Sequence, residues 1–247
     1  MKVILPSAGY ATRMYPLTLD KPKALLEVNG KPIIEYIIDK VCLIDEVDRI
    51  FVVTNDKFYE KFLEWSRVFS CNVSLRVLND GTKSNDKRLG TIGDVNFVLE
   101  REEIDDDFIV INSDNLFSFN LVKMYEDFRS RGANVVSIYD VGNLEIARRM
   151  GALRVDDNRK IIFFKEKDPN VQSSLCSIGI YFFAGYVSKL IKRYLDDGNF
   201  GDRPGDFIEW LYKRREVYGH IFDPGNNKWF DIGSLESYEE AKRVWKD

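Results

Sequence analysis

The chain is poor in several residue types that carry common chemistries. One histidine, His220, stands beside Gly219 in a strand-like run and reads as structural or exposed. Three cysteines, Cys42, Cys71 and Cys176, lie far apart, in odd number and without metal-ligand spacing. That pattern excludes a disulfide framework and suits reduced thiols in a cytoplasm. There is no basic excess: 36 Lys and Arg against 40 Asp and Glu give a net charge of -4, with no lysine runs. The electrostatic footprint of a nucleic-acid binder is therefore missing. No stretch approaches the roughly 20 apolar residues of a membrane span, and the few apolar residues before Pro6 are too short for a signal-peptide core. A cytoplasmic location without membrane association is expected. No linker, internal repeat or low-complexity tract divides the chain.

What is present is enough apolar material for a real core, 45% of 247 residues, and the chain reads as one domain, 1–247. Short β-rich runs, "VIL", "RIFVVTN", "VSLRVLN", "DFIVINSD" and "ANVVSIYDV", alternate with amphipathic stretches such as "KPIIEYIIDKVCLI" and "KFYEKFLEWSRVF". This alternation predicts an α/β fold, a mostly parallel central sheet with covering helices. Ile34, Ile37, Ile38 and Val41 recur at helical spacing, and Pro32 suits a first-turn position of that helix. After Asp140 the strand candidates crowd together ("GALRV", "KIIFFKE", "SIGIYFF") as a small α+β completion of the sheet.

The first strand runs into "PSAGYATRMYPLTLDKPKALLEV", residues 6–28. A loop at the carboxyl end of such a strand is where open α/β sheets bind ligands. Small residues let backbone N–H groups approach phosphate oxygens, and Arg13 and Lys23 add charge-assisted bonds. The loop is a candidate triphosphate cradle, although its spacing is neither a Walker loop nor a dinucleotide fingerprint.

The whole string resembles the signature of the sugar-1-phosphate nucleotidyltransferases, the NDP-sugar pyrophosphorylases, and among them the glucose-1-phosphate thymidylyl- and uridylyltransferases. The matching elements are Gly9 to Arg13, Pro16-Leu17-Thr18, Pro22-Lys23 and Gly30-Lys31-Pro32, with Ala11 where the family usually has its second glycine. "INSDN", "RLGTIGDV", "MGALRVDD", "FKEKDP" and "WFDIGSLESYEEA" follow in the family's order. The resemblance implies a Rossmann-like nucleotidyltransferase fold, with a nucleotide-binding half at 1–140 and a sugar-phosphate-binding half at 141–247. It implies a nucleotide cradle of Ser7, Ala8, Gly9, Tyr10, Ala11 and Thr12, with Leu89, Gly90 and Gly93 near the base. Arg13 and Lys23 would be catalytic cations on the β- and γ-phosphates. Gly151, Glu166 and Lys167 would bind the sugar phosphate, with Asp168 interposed before Pro169. Asp114 and Asp231 would hold Mg²⁺.

The implied reaction joins an NTP, UTP or dTTP first, to a sugar 1-phosphate, glucose 1-phosphate first, and releases pyrophosphate. It needs no histidine, because the attacking phosphate is already ionised. Two other readings stand beside it: a cytidylyltransferase for another phosphorylated small alcohol such as phosphocholine, and a non-catalytic nucleotide-binding regulatory module. A homo-oligomer is compatible with the sequence. "IDDDF", starting at Ile104, reads as a polar turn rather than a glycosyltransferase Asp-x-Asp, and "GNFGDRPGDFIEWLYKR" as a flap over the sugar pocket or a connection to a core helix.

Overall fold

The computed structural model describes residues 1–225 and 227–246. β1 (Lys2–Pro6) leads into a long loop, the small hairpin β2 (Glu27–Val28) and β3 (Lys31–Pro32), and α1 (Ile33–Val41). β4 (Arg49–Thr54), α2 (Tyr59–Val68), β5 (Ser74–Asn79), α3 (Thr91–Arg101) and β6 (Phe108–Ile111) follow. Next come β7 (Asn115–Phe117), α4 (Val122–Arg131), β8 (Asn134–Asp140), the single turn α5 (Leu144–Ala147), β9 (Gly151–Val155), β10 (Ile161–Glu166) and β11 (Leu175–Phe183). α6 (Val187–Asp196), α7 (Pro204–Tyr212), β12 (Val217–Phe222), β13 (Trp229–Asp231) and α8 (Leu235–Val244) complete the described chain.

The main sheet takes strands from both halves of the sequence. β6, β1, β4 and β5 run parallel; β11 lies antiparallel to β6 and to β8, and β12 runs parallel to β8. Across the order β12-β8-β11-β6-β1-β4-β5, β11 alone is reversed, so the mostly parallel sheet read from the sequence is observed. β9 and β10 form an antiparallel extension at the start of β11. A kink at Gly179 (φ +76°) lets one long strand serve both regions, and a Cβ there would come within 2.5 Å of Asn112 Nδ2.

Alternation along the strands fills two apolar layers. On β4, Ile50 and Val52 join the layer under α1, α2 and α4, while Phe51 and Val53 join the layer under α3, α6 and α7. A third, smaller cluster seats α8 through Tyr238, Ala241 and Trp245 against Met14, Val28 and Leu116. In α1 the four residues expected to face inward, Ile34, Ile37, Ile38 and Val41, are fully buried. Pro32 sits one residue earlier than expected, in extended backbone before the helix (φ -53°, ψ 139°), where it closes the β2-β3 hairpin. "IDDDF" is the irregular turn into β6, with Asp107 accepting the Gly185 N–H. His220 lies on β12, half-buried, with Nδ1 3.3 Å from Asp127 Oδ2, a structural contact. The three cysteines are free. Among the described residues no helix is long and apolar enough to cross a membrane.

One buried polar pair breaks the apolar pattern. Asp94, in the first turn of α3, is 4% exposed, and its Oδ1, like Oδ2 of Asp80 just past β5, is buried without a hydrogen-bond partner among the described residues. Neighbouring buried carboxyls relieve such bare oxygens by keeping a proton. Burial first, then the nearby Asp80, then the charge of Asp202, push Asp94 up to about 9, so it is protonated at neutral pH.

Two outcomes follow from this packing. Phe182 is fully buried and packs on Tyr125 and Phe128 of α4; Phe182→Ala should cost about 3–5 kcal/mol, read as a lower urea midpoint at unchanged slope. Folding takes up a proton at Asp94 between the unfolded carboxyl value of about 4 and its folded value of about 9. The stability this group contributes is complete below that window and is lost as pH rises through it. Asp94→Asn has no such linkage, so its melting temperature minus that of the wild type should increase steadily from about pH 5 to about pH 9.

Candidate active site

The chain lays β4 and β5 on one side of β1 and then crosses to place β6 on the other. At such a switch point the loops leaving the strand ends diverge and open a crevice. A cleft of about 410 Å³ lies there, lined by every residue from Pro6 to Arg13, by Lys23, by Asn112 to Asp114 after β6, and by Asn85, Arg88, Thr91 and Asp94.

The loop is pinned by its carbonyls. Ser113 Oγ donates to Pro6 O (2.7 Å), Asn55 Nδ2 to Ala8 O (2.7 Å) and Thr18 Oγ1 to Ala11 O (2.8 Å), while Ser7 N–H donates to Val53 O. The amides of Ala8, Gly9, Tyr10 and Ala11 meet no acceptor among the described residues. Unpaired N–H groups along one turn form an anion cradle. Ala11 takes a left-handed conformation (φ 48°, ψ 41°), so the position does need what glycine gives freely, at a strain of roughly 1–2 kcal/mol for an L-residue. Gly9, by contrast, has open space where a Cβ would stand.

Lys23 Nζ donates to Asp114 Oδ2 at 2.6 Å, tying the end of the loop to the end of β6. Asp231 arrives from the far end of the chain through the β13-β7 ladder, which sets it opposite Asn115, and Ile232 N–H donates to Asp114 O (3.0 Å). Asp231 is an exposed residue lining the second of two adjoining clefts. Desolvation, then the neighbouring Asp114 charge, raise Asp231 to about 6, while Lys23 and Arg13 pull it back. Two hard carboxylates whose mutual repulsion is not fully relieved fit Mg²⁺, which takes one or two protein carboxylates and completes its shell with phosphate and water. No group of three or more potential metal ligands occurs among the described residues, so the substrate would supply most of that shell.

A second cleft of about 360 Å³ shares Arg13, Asn112 and Asp114 with the first. It is lined by Gly151, Glu166 and Lys167, together with Asp231, Arg203 and Asp202. Glu166 is clasped between two glycines: a Cβ at Gly151 would come within 2.9 Å of its Oε2, and one at Gly205 would overlap the carboxylate. Burial, then Asp206, raise its pKa, and Arg203 and Lys167 oppose the shift. Lys167 has φ 51°, held by its N–H to Met150 O (2.9 Å).

The structure thus gathers Ser7 to Arg13, Lys23 and Asp114 at one cleft and Gly151, Glu166, Lys167 and Asp231 at the adjoining one. Leu89, Gly90 and Gly93 do not line either cleft. Leu89 is exposed, and Gly90 and Gly93 lie against the 201–202 segment: a Cβ at Gly90 would stand 2.5 Å from Asp202 Cα, and a Cβ at Gly201 would stand 3.0 Å from Gly93 N. Their neighbours Arg88, Thr91 and Asp94 face the cleft instead. Arg88 pairs with Asp202 through two bonds (2.9 and 3.1 Å), and Thr91 and Ile92 N–H donate to Asp202 and Gly201 carbonyls. Sequence reading missed Arg203 and Asn112; both carry only a residue type, and the first depends on a turn whose geometry spacing does not show.

A family model described as nucleotidyl transferase matches residues 2–247. The bifunctional protein GlmU of Methanocaldococcus jannaschii is 30% identical over the whole of this chain and 55% of its own length. Glucose-1-phosphate adenylyltransferase of Rhodopirellula baltica is 25% identical, over 96% of this chain and 58% of its own length. The chain spans about half the length of the curated relatives it matches. Among solved structures, UDP-glucose pyrophosphorylase complexed with UDP-glucose superposes with a TM-score of 0.82 at 22% identity, covering 98% of this chain and 97% of that one. The UTP-bound enzyme from Acinetobacter baumannii gives 0.79 at 21% identity, covering 98% and 92%. With a match over essentially its full length, and the fold to go with it, the chain belongs to the nucleotidyl transferase family.

Proposed function

We propose that this chain joins an NTP, UTP or dTTP in preference, to a sugar 1-phosphate, glucose 1-phosphate in preference, to give the NDP-sugar and pyrophosphate. The observation that carries the reading is the meeting of two polar clefts at Arg13, Asn112 and Asp114, one floored by free backbone amides and the other holding Glu166, Lys167 and Arg203. Residues 1–140 would serve the nucleotide and 141–247 the sugar phosphate. The choice of UTP or dTTP rests on the likeness of "VILPSAGYATRM" to uridylyltransferases of the family.

The chemistry asks for positioning and charge. An oxygen of the sugar phosphate attacks the α-phosphorus, the bond from that phosphorus to the bridging oxygen of the β-phosphate breaks, and pyrophosphate leaves. Free amides of Ala8 to Ala11 bind the phosphates, and Arg13 and Lys23 stabilise the charge that grows on the leaving group. Lys167 and Arg203 hold the attacking phosphate against its own repulsion from the triphosphate. Mg²⁺, held by Asp114 and Asp231, would supply charge neutralisation at the phosphate oxygens. Glu166 accepts from sugar hydroxyls.

The test is pyrophosphate release with Mg²⁺ across UTP, dTTP, CTP, GTP and ATP, each against glucose 1-phosphate, mannose 1-phosphate, N-acetylglucosamine 1-phosphate and phosphocholine. Turnover with a sugar phosphate, abolished by Asp114→Ala, supports the reading; turnover with phosphocholine and CTP replaces it with the cytidylyltransferase, and nucleotide binding with silence across the grid replaces it with a regulatory module. Lys23→Ala should lower kcat/KM by about 10²–10³. Gly205→Ala should push Glu166 out of place, raising KM for the sugar phosphate several-fold while KM for the nucleotide holds.

A further inference from the structure

The buried carboxyl pair has one feature that folding does not account for. Asp80 Oδ1 is satisfied by Thr82 N–H and Oγ1, both at 2.7 Å. Asp80 Oδ2 and Asp94 Oδ1 are each buried without a hydrogen-bond partner among the described residues, and burial together with the nearby Asp80 pushes the Asp94 carboxyl up to about 9. A proton held between those two atoms would satisfy both. That leaves Asp94 Oδ2. No described residue donates to it, it is not among the fully buried atoms, and Asp94 lines the nucleotide cleft. With the proton on the Oδ1 side, this oxygen is a neutral carbonyl-type acceptor facing the cleft.

Its place in the sheet gives it a partner. Asp114 follows β6, the cradle follows β1, Asn55 follows β4 and Asp80 follows β5, in that spatial order. Three strand spacings, roughly 14 Å, separate the Asp114 end from the Asp80 end. Asp94 therefore lies away from the Lys23–Asp114 end, on the side where the rest of a nucleotide extends once its phosphates lie on the cradle. The same cleft is lined by Asn85, Thr91 and Arg88, side chains that carry N–H or O–H groups, with Arg88 engaged in part by Asp202. An acceptor set among donors is the complement of a ring N–H flanked by a carbonyl.

We propose, on the basis of the nucleotidyltransferase reading above, that Asp94 is a specificity-determining residue: its Oδ2 accepts the ring N–H of a lactam or imide base, that of uracil, thymine or guanine. Adenine and cytosine present a lone pair at that ring nitrogen and meet the same oxygen with repulsion. A buried acceptor left unpaired by the wrong base is what makes such a site discriminate.

Binding of the five NTPs and of inorganic tripolyphosphate, measured by calorimetry with Mg²⁺ and no acceptor, tests the assignment. The wild type should bind UTP, dTTP or GTP at least about tenfold more tightly than ATP and CTP. Asp94→Leu, which fills similar space without an acceptor, should erase that preference, weakening the favoured nucleotide about ten- to a hundredfold while tripolyphosphate binds as before. Asp94→Asn, whose amide can donate to Asp80 and still present its oxygen, should keep the preference. The assignment is overturned if the wild type favours ATP or CTP, or binds all five alike, a result that needs no variant to fold. It is overturned equally if Asp94→Leu weakens every NTP by the same factor. Absence of any NTP binding to the wild type would remove the nucleotidyltransferase reading itself, a failure distinct from bases bound without discrimination.

Discussion

The cleft is organised around one ion pair. Lys23 and Asp114 belong to segments 91 residues apart, and their contact at 2.6 Å joins the loop after β1 to the end of β6 on either side of the switch point. Both side chains are only partly exposed, 18% and 28%, so the pair keeps more of its strength than a surface bridge does. In the proposed reaction, a triphosphate would take Lys23 and a cation Asp114. Such an exchange would replace one set of charge-assisted bonds with another and leave neither group bare in a half-buried position.

Asp231 depends on that pair. Brought in by a three-residue strand, it adds a second carboxyl beside Asp114, and desolvation first, then the Asp114 charge, raise its pKa against the pull of Lys23 and Arg13. The surrounding framework holds the repulsion in place: Ser113 bonds to Pro6, Asn115 to Ile178 and to Trp229, and Ile232 to Asp114. These side-chain and backbone hydrogen bonds hold the two carboxyls side by side.

Much of this was legible in the sequence because it is written in local patterns. The apolar runs of β1, β4, β6 and β8 name a buried sheet, and Ile34, Ile37, Ile38 and Val41 name a helix face. The ordered motifs place Arg13, Lys23, Asp114, Glu166, Lys167 and Asp231 around two adjoining clefts, an arrangement no single spacing would imply. What was not legible depends on tertiary contact. Gly90 and Gly93 sit against another loop rather than in the cleft, because the 201–202 backbone passes against them. Asp94 reads in the sequence as an ordinary polar residue in a helix, and only its burial against Asp80 makes it unusual. Pro32 falls one residue before its helix because the β2-β3 hairpin claims it first. Ala11 occupies a glycine position without losing the glycine conformation, a case where the loop's anchors override local preference.

The first turn of α3 would ordinarily present free N–H groups, yet Thr91 and Ile92 give theirs to the carbonyls of Asp202 and Gly201. The segment that finishes this helix therefore also forms a wall of the neighbouring cleft, where Asp202 and Arg203 stand. A shift of residues 201–202 would disturb the first turn of α3 and the wall of the second cleft together, so the two pockets rest on one shared support.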